Sequence, residues 1–245
     1  MYYFVSDIHL GGGTPEQAAL TERRFNAWLD SVAEDAKGVF MCGDIFDFWF
    51  EYKRVIPKGF VRTLGRLTAL SDRGVRVVLV VGNHDLWVRD YFEVECGWEV
   101  YTTPHIFDIG GKKVYIAHGD NLDIKKSKVV QFMNSGFRSK WIRAIFSTLV
   151  HPDWALKFGQ WWSHSSRKGH KDNIDRIHKY RDAIIEYSTQ LQATTPCDTY
   201  IYGHLHLLSK HTIAGGTEVI FINDWSNNPH YATMSEEGDI KIEKV

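Results

Sequence analysis

The chain has 245 residues, of which 44% are apolar and 24% are charged, with a net charge of −1. A chain of this length buries about three-quarters of the surface that its unfolded form exposes, so we expect one domain spanning residues 1–245. The mean hydropathy of −0.29, with no apolar run near the ~20 residues that cross a bilayer, excludes an integral membrane protein. The opening residues carry no basic stretch and reach an acid at Asp7, so we expect no signal peptide and a cytoplasmic protein. The three cysteines form no paired motif, which excludes a disulfide framework and a thiolate zinc site.

The first half of the chain alternates short apolar runs with helical patterns, which predicts a mixed α/β sandwich. Strands are expected over residues 2–6, 39–42 and 75–81. Thr14, Pro15 and Gln17 supply the N-cap, the first helical position and the capping-box residue of a helix that runs to about residue 36. A second helix is predicted over 57–72, before Gly74. Two strands, 105–109 and 113–117, flank a Gly-Gly pair, which favours a hairpin.

The strand pattern stops between residues 121 and 171, where aromatic residues recur at helical spacing, as in Phe137, Trp141, Trp161 and Trp162. A long helix over about 172–191 then precedes strands at 199–202, 207–212, 219–223, 231–235 and 240–244. The predicted architecture is therefore two mixed β-sheets flanked by helices, with residues 121–171 inserted as a helical cap.

The inserted region also concentrates positive charge. Residues 121–181 contain 13 Lys and Arg against 4 Asp and Glu, a net charge of +9, and the remainder carries −10. A basic block in an acidic chain predicts contact with an anionic partner, such as a phosphorylated substrate, a nucleic acid or a lipid surface.

Five polar clusters each follow an apolar strand, where side chains from neighbouring loops converge. Any one of them alone is a common polar loop. Together they supply the carboxylate, imidazole and amide donors that two adjacent cations require, including a carboxylate to bridge them. The clusters are Asp7-Ile8-His9, Gly43-Asp44-Ile45-Phe46-Asp47, Gly82-Asn83-His84-Asp85, His118-Gly119-Asp120 and Gly203-His204-Leu205-His206.

This ordered set resembles the calcineurin-like metallophosphoesterase superfamily. The resemblance implies a metallophosphoesterase sandwich that hydrolyses phosphoester or pyrophosphate bonds with two divalent ions, and water as the nucleophile. It implies that Asp44 bridges the two ions. The first ion would be held by Asp7, His9, Asp44 and His206, and the second by Asp44, Asn83, His118 and His204.

Two further residues of the clusters acquire catalytic roles through the same resemblance. His84 would face the phosphate without binding an ion, and would stabilise charge or protonate the leaving oxygen. The Asp47 carboxylate would orient His84, although satisfying a loop amide is the simpler alternative. Asp85 and Asp120 are expected to cap or buttress loops.

Over its whole length the chain is similar to the UDP-2,3-diacylglucosamine hydrolases of lipid A synthesis, in size, in its Asp7-Ile8-His9-Leu10 start and in the position of the cap. The resemblance implies hydrolysis of UDP-2,3-diacylglucosamine to UMP and 2,3-diacylglucosamine 1-phosphate. It also implies Mn²⁺ as the cofactor and peripheral contact with the inner membrane of a Gram-negative bacterium. The chain has His84 where the better-known branch has Arg, and so resembles the branch that keeps Gly-Asn-His-Asp.

The inserted cap is where we expect the substrate to be selected. Its Trp and Phe residues would supply apolar surface for acyl chains, and its basic loop would pair with the diphosphate and the uridine. An ordinary amphipathic helix pair packed on the sandwich explains the aromatic spacing equally well. The candidate substrate-binding residues are Ser163, Ser166, Arg167, Lys168 and Lys171.

Two other functions remain open from the sequence. Another metallophosphoesterase, such as a phosphodiesterase or a nuclease, would share every ligand, and a nuclease could use the basic block to follow a phosphate backbone. We expect no nucleic acid partner. A non-catalytic scaffold that has lost its ions is disfavoured, because all seven ligand positions are filled.

Overall fold

The structure is a computed structural model that describes residues 1–120, 122, 140–159, 174–226 and 228–245. Among these described residues, six strands form the first sheet. β1 (Tyr2–Val5), β2 (Gly38–Met41), β3 (Arg76–Val80) and β4 (Glu99–Tyr101) run parallel to one another. β10 (His230–Met234) pairs antiparallel with β1, and β11 (Ile240–Lys244) pairs antiparallel with β10. The strand order is β11-β10-β1-β2-β3-β4.

The second sheet has five strands in its described part. β5 (His105–Ile109) and β6 (Lys112–Ala117) form the predicted hairpin, and β6, β7 (Thr199–Tyr202) and β9 (Glu218–Phe221) run parallel. β8 (Ser209–Thr212) closes the edge antiparallel to β9, in the order β5-β6-β7-β9-β8. Both sheets are mixed, as the strand pattern predicts.

Alternating side chains sort into three apolar layers, because successive residues of a strand point to opposite faces. The layer between the sheets contains Phe4, Phe40, Val78, Ile116 and Ile201. The outer face of the first sheet packs on two helices, and the outer face of the second packs on another. The molecule is therefore built as helix, sheet, sheet, helix, which confirms the predicted fold class.

Two helices cover the first sheet. α1 (Pro15–Val32) has the predicted capping box, in which Thr14 and Gln17 bond each other's backbone N–H groups, and it ends four residues before the predicted boundary. α2 (Val61–Asp72) begins four residues later than predicted. Gly59 and Phe60 adopt positive φ angles of 112° and 58°, and a left-handed residue cannot belong to a right-handed helix.

Two short elements were not predicted: α3 (Tyr91–Val94) and the edge strand β4. Four and three residues are too few to display a helical or strand period.

The described part of the predicted cap is helical. It comprises α4 (Lys140–Leu149) and a helical segment at residues 152–159, and the long helix α5 (Ile174–Thr194) follows. In the part of the chain that the structure describes, no helix is long and apolar enough to cross a membrane.

Candidate metal centre

The topology brings the five polar clusters to one edge of the sandwich. They follow the carboxyl ends of β1, β2, β3, β6 and β7, and the carboxyl ends of parallel strands lie on the same side of a sheet. Backbone hydrogen bonds join the loops, from Asp7 N to Gly43 O and from His9 N to Asp44 O, both at 3.0 Å. The His206 loop reaches the same edge, where His206 Nε2 lies 3.2 Å from His9 Nε2, 197 positions earlier in the sequence.

Three donor atoms converge in a first group. The Nε2 atoms of His9 and His206 lie 3.2 Å apart, and Asp7 Oδ1 lies 3.3 Å from His206 Nε2 and 3.8 Å from His9 Nε2. Around an ion with bonds of about 2.1 Å, neighbouring ligands are about 3.0 Å apart in an octahedral shell and about 3.4 Å apart in a tetrahedral one. His206 Nε2 thus lies at ligand spacing from both other atoms, and Asp7 Oδ1 and His9 Nε2 are slightly farther apart.

A second group forms around Asp44, whose Oδ2 lies 3.1 Å from His118 Nε2. His204 belongs to the same group, in which the ligand atoms all lie within 4.8 Å of one another. Asp44 also groups with His9 and His84, so it stands between the two sets. That is the position required of a bridging carboxylate.

Several of these buried polar atoms face other candidate ligands or nothing at all. Asn83 Oδ1 has no hydrogen-bond partner among the described residues. Asp7 Oδ1 and His118 Nε2 face His206 Nε2 at 3.3 Å and Asp44 Oδ2 at 3.1 Å. Leaving a buried polar atom unbonded costs about 1–3 kcal/mol, so each such atom calls for a ligand. Carboxylate, imidazole and amide donors suit first-row divalent cations, and the residues fit such a centre.

The candidate ligands also adopt an unusual backbone conformation. Five of them have left-handed φ angles between 50° and 67°, a region that costs an ordinary residue of order 1–3 kcal/mol. Phe60 is the only other non-glycine residue with positive φ in the described part of the chain. The strain therefore concentrates where the donors converge. The five residues are Asp7, His9, Asp44, His204 and His206.

Glycines let the loops approach the ligands closely. A Cβ atom on Gly43 would lie 2.5 Å from His118 Nδ1, and one on Gly203 would lie 2.5 Å from Asp7 Oδ2. At Gly82 a Cβ would collide with the Asp44 carboxylate. Larger residues at these positions would displace the donors.

His84 is held differently from the prediction. Its Nδ1 donates to the backbone carbonyl oxygen of Asp47 at 2.6 Å, whereas the Asp47 carboxylate lies 3.7 Å from His9 Nδ1. Asp47 thus bonds the His84 ring through its backbone, because the loop turns the carboxylate toward His9. His84 Nε2 lies 3.8 Å from Asp44 Oδ2 and belongs to the same group of donor atoms as His9 and Asp44.

Other buried carboxylates support the loops. Asp85 accepts hydrogen bonds from Ile45 N and Phe46 N, each at 3.1 Å, which confirms its predicted buttressing role. Burial raises the pKa of Asp85 to about 7, assisted by the negative charge of Asp44. Glu51, which the sequence analysis missed, accepts from the backbone N–H groups of Arg89, Asp90 and Tyr91 at 2.9–3.0 Å.

Asp224 is the second residue that sequence reasoning missed. Its Oδ2 lies 3.3 Å from His206 Nδ1. Asp224 follows β9 closely, as the five clusters follow their strands, so its position at a strand end was the signal that could have found it.

Comparison with known proteins identifies the family of the chain. Residues 2–208 match the family of calcineurin-like phosphoesterases. The chain belongs to this family. A relative named UDP-2,3-diacylglucosamine hydrolase from Porphyromonas gingivalis is 33% identical over 242 residues, covering 94% of this chain and 92% of the relative. A protein of the same name from Haemophilus influenzae is 28% identical, covering 97% and 96%. A solved archaeal phosphodiesterase superposes over 100% of this chain and 99% of its own, with a TM-score of 0.49 and 11% identity.

The carboxylates and histidines of the centre shift one another's pKa values. Burial alone would lower the pKa of His118, but the Asp44 carboxylate outweighs burial and raises that pKa to about 10. Burial also opposes protonation of His206, yet Asp224 and Asp7 raise its pKa to about 10. Burial would raise the pKa of Asp44, and the facing histidines His118 and His84 hold it well below its usual range. The buried carboxylates of the site therefore favour positive charge between them, whether it is carried by histidine or by a bound cation.

The described part of the cap packs on the loops that carry Asp47 and His84. Arg143 of α4 donates to the Val88 carbonyl at 2.8 Å, and the Tyr52 hydroxyl donates to the Val150 carbonyl at 2.8 Å. The Phe146 ring contacts two rings of these loops. The predicted substrate-binding residues Ser163, Ser166, Arg167, Lys168 and Lys171 lie outside the described residues, as do Phe137, Trp161 and Trp162.

Proposed function

We propose that this phosphoesterase hydrolyses the pyrophosphate bond of UDP-2,3-diacylglucosamine, giving UMP and 2,3-diacylglucosamine 1-phosphate. The observation that carries the proposal is the convergence of the Asp7–His9–His206 and Asp44–His118–His204 donors into two adjacent groups, with His206 Nε2 3.3 Å from Asp7 Oδ1 and His118 Nε2 3.1 Å from Asp44 Oδ2. The specific substrate is supported by the 33% identity, over almost the full length, to a relative of that name.

The proposed centre contains two Mn²⁺ ions. Asp7, His9, Asp44 and His206 would hold one ion, and Asp44, Asn83, His118 and His204 would hold the other, with Asp44 between them. Support comes from the buried Asn83 Oδ1, which has no hydrogen-bond partner among the described residues, and from Asp7 Oδ1 and His118 Nε2, which face other candidate ligands. When bound, the two ions would make a shared water more acidic and draw negative charge from the phosphoryl oxygens.

His84 is proposed to act on the substrate rather than on an ion. Because its Nδ1 donates to the Asp47 carbonyl, the ring is fixed and Nε2 remains available for a proton. From its place beside Asp44, that nitrogen would stabilise a phosphoryl oxygen or protonate the leaving oxygen.

The cap, residues 121–171, is proposed to bind the acyl chains and the diphosphate. Ser163, Ser166, Arg167, Lys168 and Lys171 remain the proposed polar contacts. Support comes from the packing of α4 beside the Asp47 and His84 loops, and from the net charge of +9 over residues 121–181. Each acyl methylene that is buried would contribute about 0.8 kcal/mol to binding.

We also propose that this phosphoesterase is cytoplasmic and makes peripheral contact with the inner membrane. One face of α4 exposes Trp141, Ile145 and Leu149 by 81%, 57% and 77%. These residues recur every four positions, so they line one side of the helix, whereas Arg143 and Phe146 contact the protein. An exposed apolar stripe on a basic segment suits the interface of an anionic bilayer.

The substrate is tested by assaying the purified protein with Mn²⁺ against UDP-2,3-diacylglucosamine, the same UDP-sugar without acyl chains, bis(p-nitrophenyl) phosphate and DNA. We expect UMP release with a kcat/KM at least 10²-fold higher for the diacylated substrate, because two buried chains dominate affinity. Asp44→Asn should abolish turnover, and Asp239→Asn, in the exposed β10–β11 turn, should not. Equal kcat/KM values with and without acyl chains would refute the lipid substrate.

The membrane contact is tested by co-sedimentation with vesicles that contain anionic lipid. Trp141→Ser, Ile145→Ser and Leu149→Ser combined should release the protein from the vesicles. The matched control is Val61→Ser with Val94→Ser, which removes exposed apolar residues from α2 and α3. Equal sedimentation of both variants and the wild type would contradict contact through α4.

A further inference from the structure

The histidines of the centre differ in what holds their second ring nitrogen. His118 Nδ1 lies 3.0 Å from the Cys42 carbonyl oxygen, and His84 Nδ1 lies 2.6 Å from the Asp47 carbonyl oxygen. His206 instead places Nδ1 3.3 Å from the Asp224 carboxylate. A carboxylate is a stronger acceptor than a carbonyl, and it makes the opposite nitrogen of the ring more basic.

We infer that Asp224 is a positioning residue, which accepts the Nδ1 proton of His206 and directs Nε2 toward the ion shared with Asp7 and His9. This inference rests on the proposed metal centre. His206 Nε2 already lies 3.2 Å from His9 Nε2 and 3.3 Å from Asp7 Oδ1. A turn of the imidazole ring would remove the nitrogen from that group.

The chain on both sides of Asp224 is firmly held. Before it, Ile222 N donates to the Tyr202 carbonyl at 2.8 Å, which ties the end of β9 to β7. After it, Trp225 N donates to the Asp7 carbonyl at 3.2 Å. The Trp225 side chain is fully buried and contacts the Phe25 ring at a centroid distance of 5.1 Å. A rigid backbone thus presents the carboxylate to His206.

Ser226 completes the arrangement. Its hydroxyl donates to Asp224 Oδ2 at 2.8 Å, on the same oxygen that faces His206. The hydroxyl limits rotation of the carboxylate, but it does not touch His206 in the described contacts. Removing Ser226 should therefore matter far less than removing Asp224.

The test measures Mn²⁺ binding to the metal-free protein by calorimetry with a competing chelator. In Asp224→Ala, one of the two ions should bind about 10- to 100-fold more weakly, the usual effect of losing a carboxylate behind a ligating histidine. Asp224→Asn keeps a neutral acceptor, like the carbonyls behind His118 and His84, and should lose less affinity. Ser226→Ala should bind as the wild type does.

Two readouts separate positioning from a structural role. Asp224→Ala should weaken only one of the two ions, and excess Mn²⁺ should restore both its kcat and its melting temperature to the wild-type values. Unchanged affinity in Asp224→Ala would overturn the inference. Equal weakening of both ions, or a kcat that excess Mn²⁺ does not restore, would also overturn it. If the wild type binds no Mn²⁺, the proposed centre itself fails, and this result is distinct from the other two.

Discussion

Gly82 offers a direct test of the packing around the centre. It lies between β3 and Asn83, and a Cβ there would lie 2.6 Å from Asp44 N and 3.0 Å from Asp44 Cγ. Gly82 is not among the residues with positive φ, so alanine meets no backbone strain there. The effect of Gly82→Ala is therefore purely steric, and it falls on the carboxylate that stands between the two groups of donors.

The cost follows from these contacts. Overpacking a rigid site costs about 1–3 kcal/mol. Displacing Asp44 also breaks the 2.8 Å hydrogen bond from His84 N to Asp44 Oδ1, which contributes about 1.5–3 kcal/mol as a bond to a charged group. For a domain of this size 1 kcal/mol lowers the melting temperature by about 2–4 °C, so the overpacking alone predicts a drop of about 2–12 °C. Turnover should fall at least 10²-fold, because a bridging ligand has moved.

The assays are thermal unfolding of the metal-free protein, metal content by mass spectrometry, and turnover. Gly65→Ala is the matched control, since Gly65 lies on the exposed side of α2 and a Cβ there meets nothing within 4 Å. It should stabilise the protein by about 0.5–1 kcal/mol and leave metal content and turnover unchanged. If Gly82→Ala kept wild-type metal content and turnover, the close approach of Gly82 to Asp44 would be refuted.

Three further predictions concern the surrounding residues. His84→Ala should lower kcat by about 10²–10⁴ with unchanged metal content, and a loss of bound metal would instead make His84 a ligand. Glu51→Gln should lower the free energy of unfolding, measured in urea, by about 1.5–3 kcal/mol. The reason is that one amide oxygen replaces a carboxylate that accepts hydrogen bonds from three backbone N–H groups. An unchanged denaturation midpoint would contradict this. His118 and His206 have pKa values of about 10 in the folded metal-free protein, so the fold holds two protons that the unfolded chain releases above its ordinary histidine pKa of about 6.5. This stabilisation is complete below about pH 6.5 and is lost as the pH rises toward 10, by up to about 1.4 kcal/mol per pH unit for each histidine. Mn²⁺ binding should strengthen over the same rise in pH, because the ions replace the histidine protons. A melting temperature that does not depend on pH in the presence of a chelator would exclude this coupling.

The sequence by itself determined the elements whose signals are local. The α1 capping box, the hairpin around Gly110 and Gly111 and the apolar runs of β2 and β3 are properties of a few adjacent residues. The candidate ligands could also be named from the sequence, because donor chemistry belongs to the residue type and each cluster follows a strand. The parallel pairing that gathers them was predictable from the alternation of strands and helices.

Only the tertiary structure decided which atoms face one another. The orientation of His84 by a backbone carbonyl, the turn of the Asp47 carboxylate toward His9 and the contact of Asp224 with His206 depend on how separate loops approach. No local sequence pattern shows whether an aspartate orients a neighbouring histidine through its side-chain carboxylate or through its backbone carbonyl. The start of α2 was misplaced for a related reason, since the left-handed Phe60 packs against Phe46 in another loop. The sequence gives the chemical type of each donor, whereas the direction of each side chain and the distances between donor atoms are set only when the strands and loops pack together.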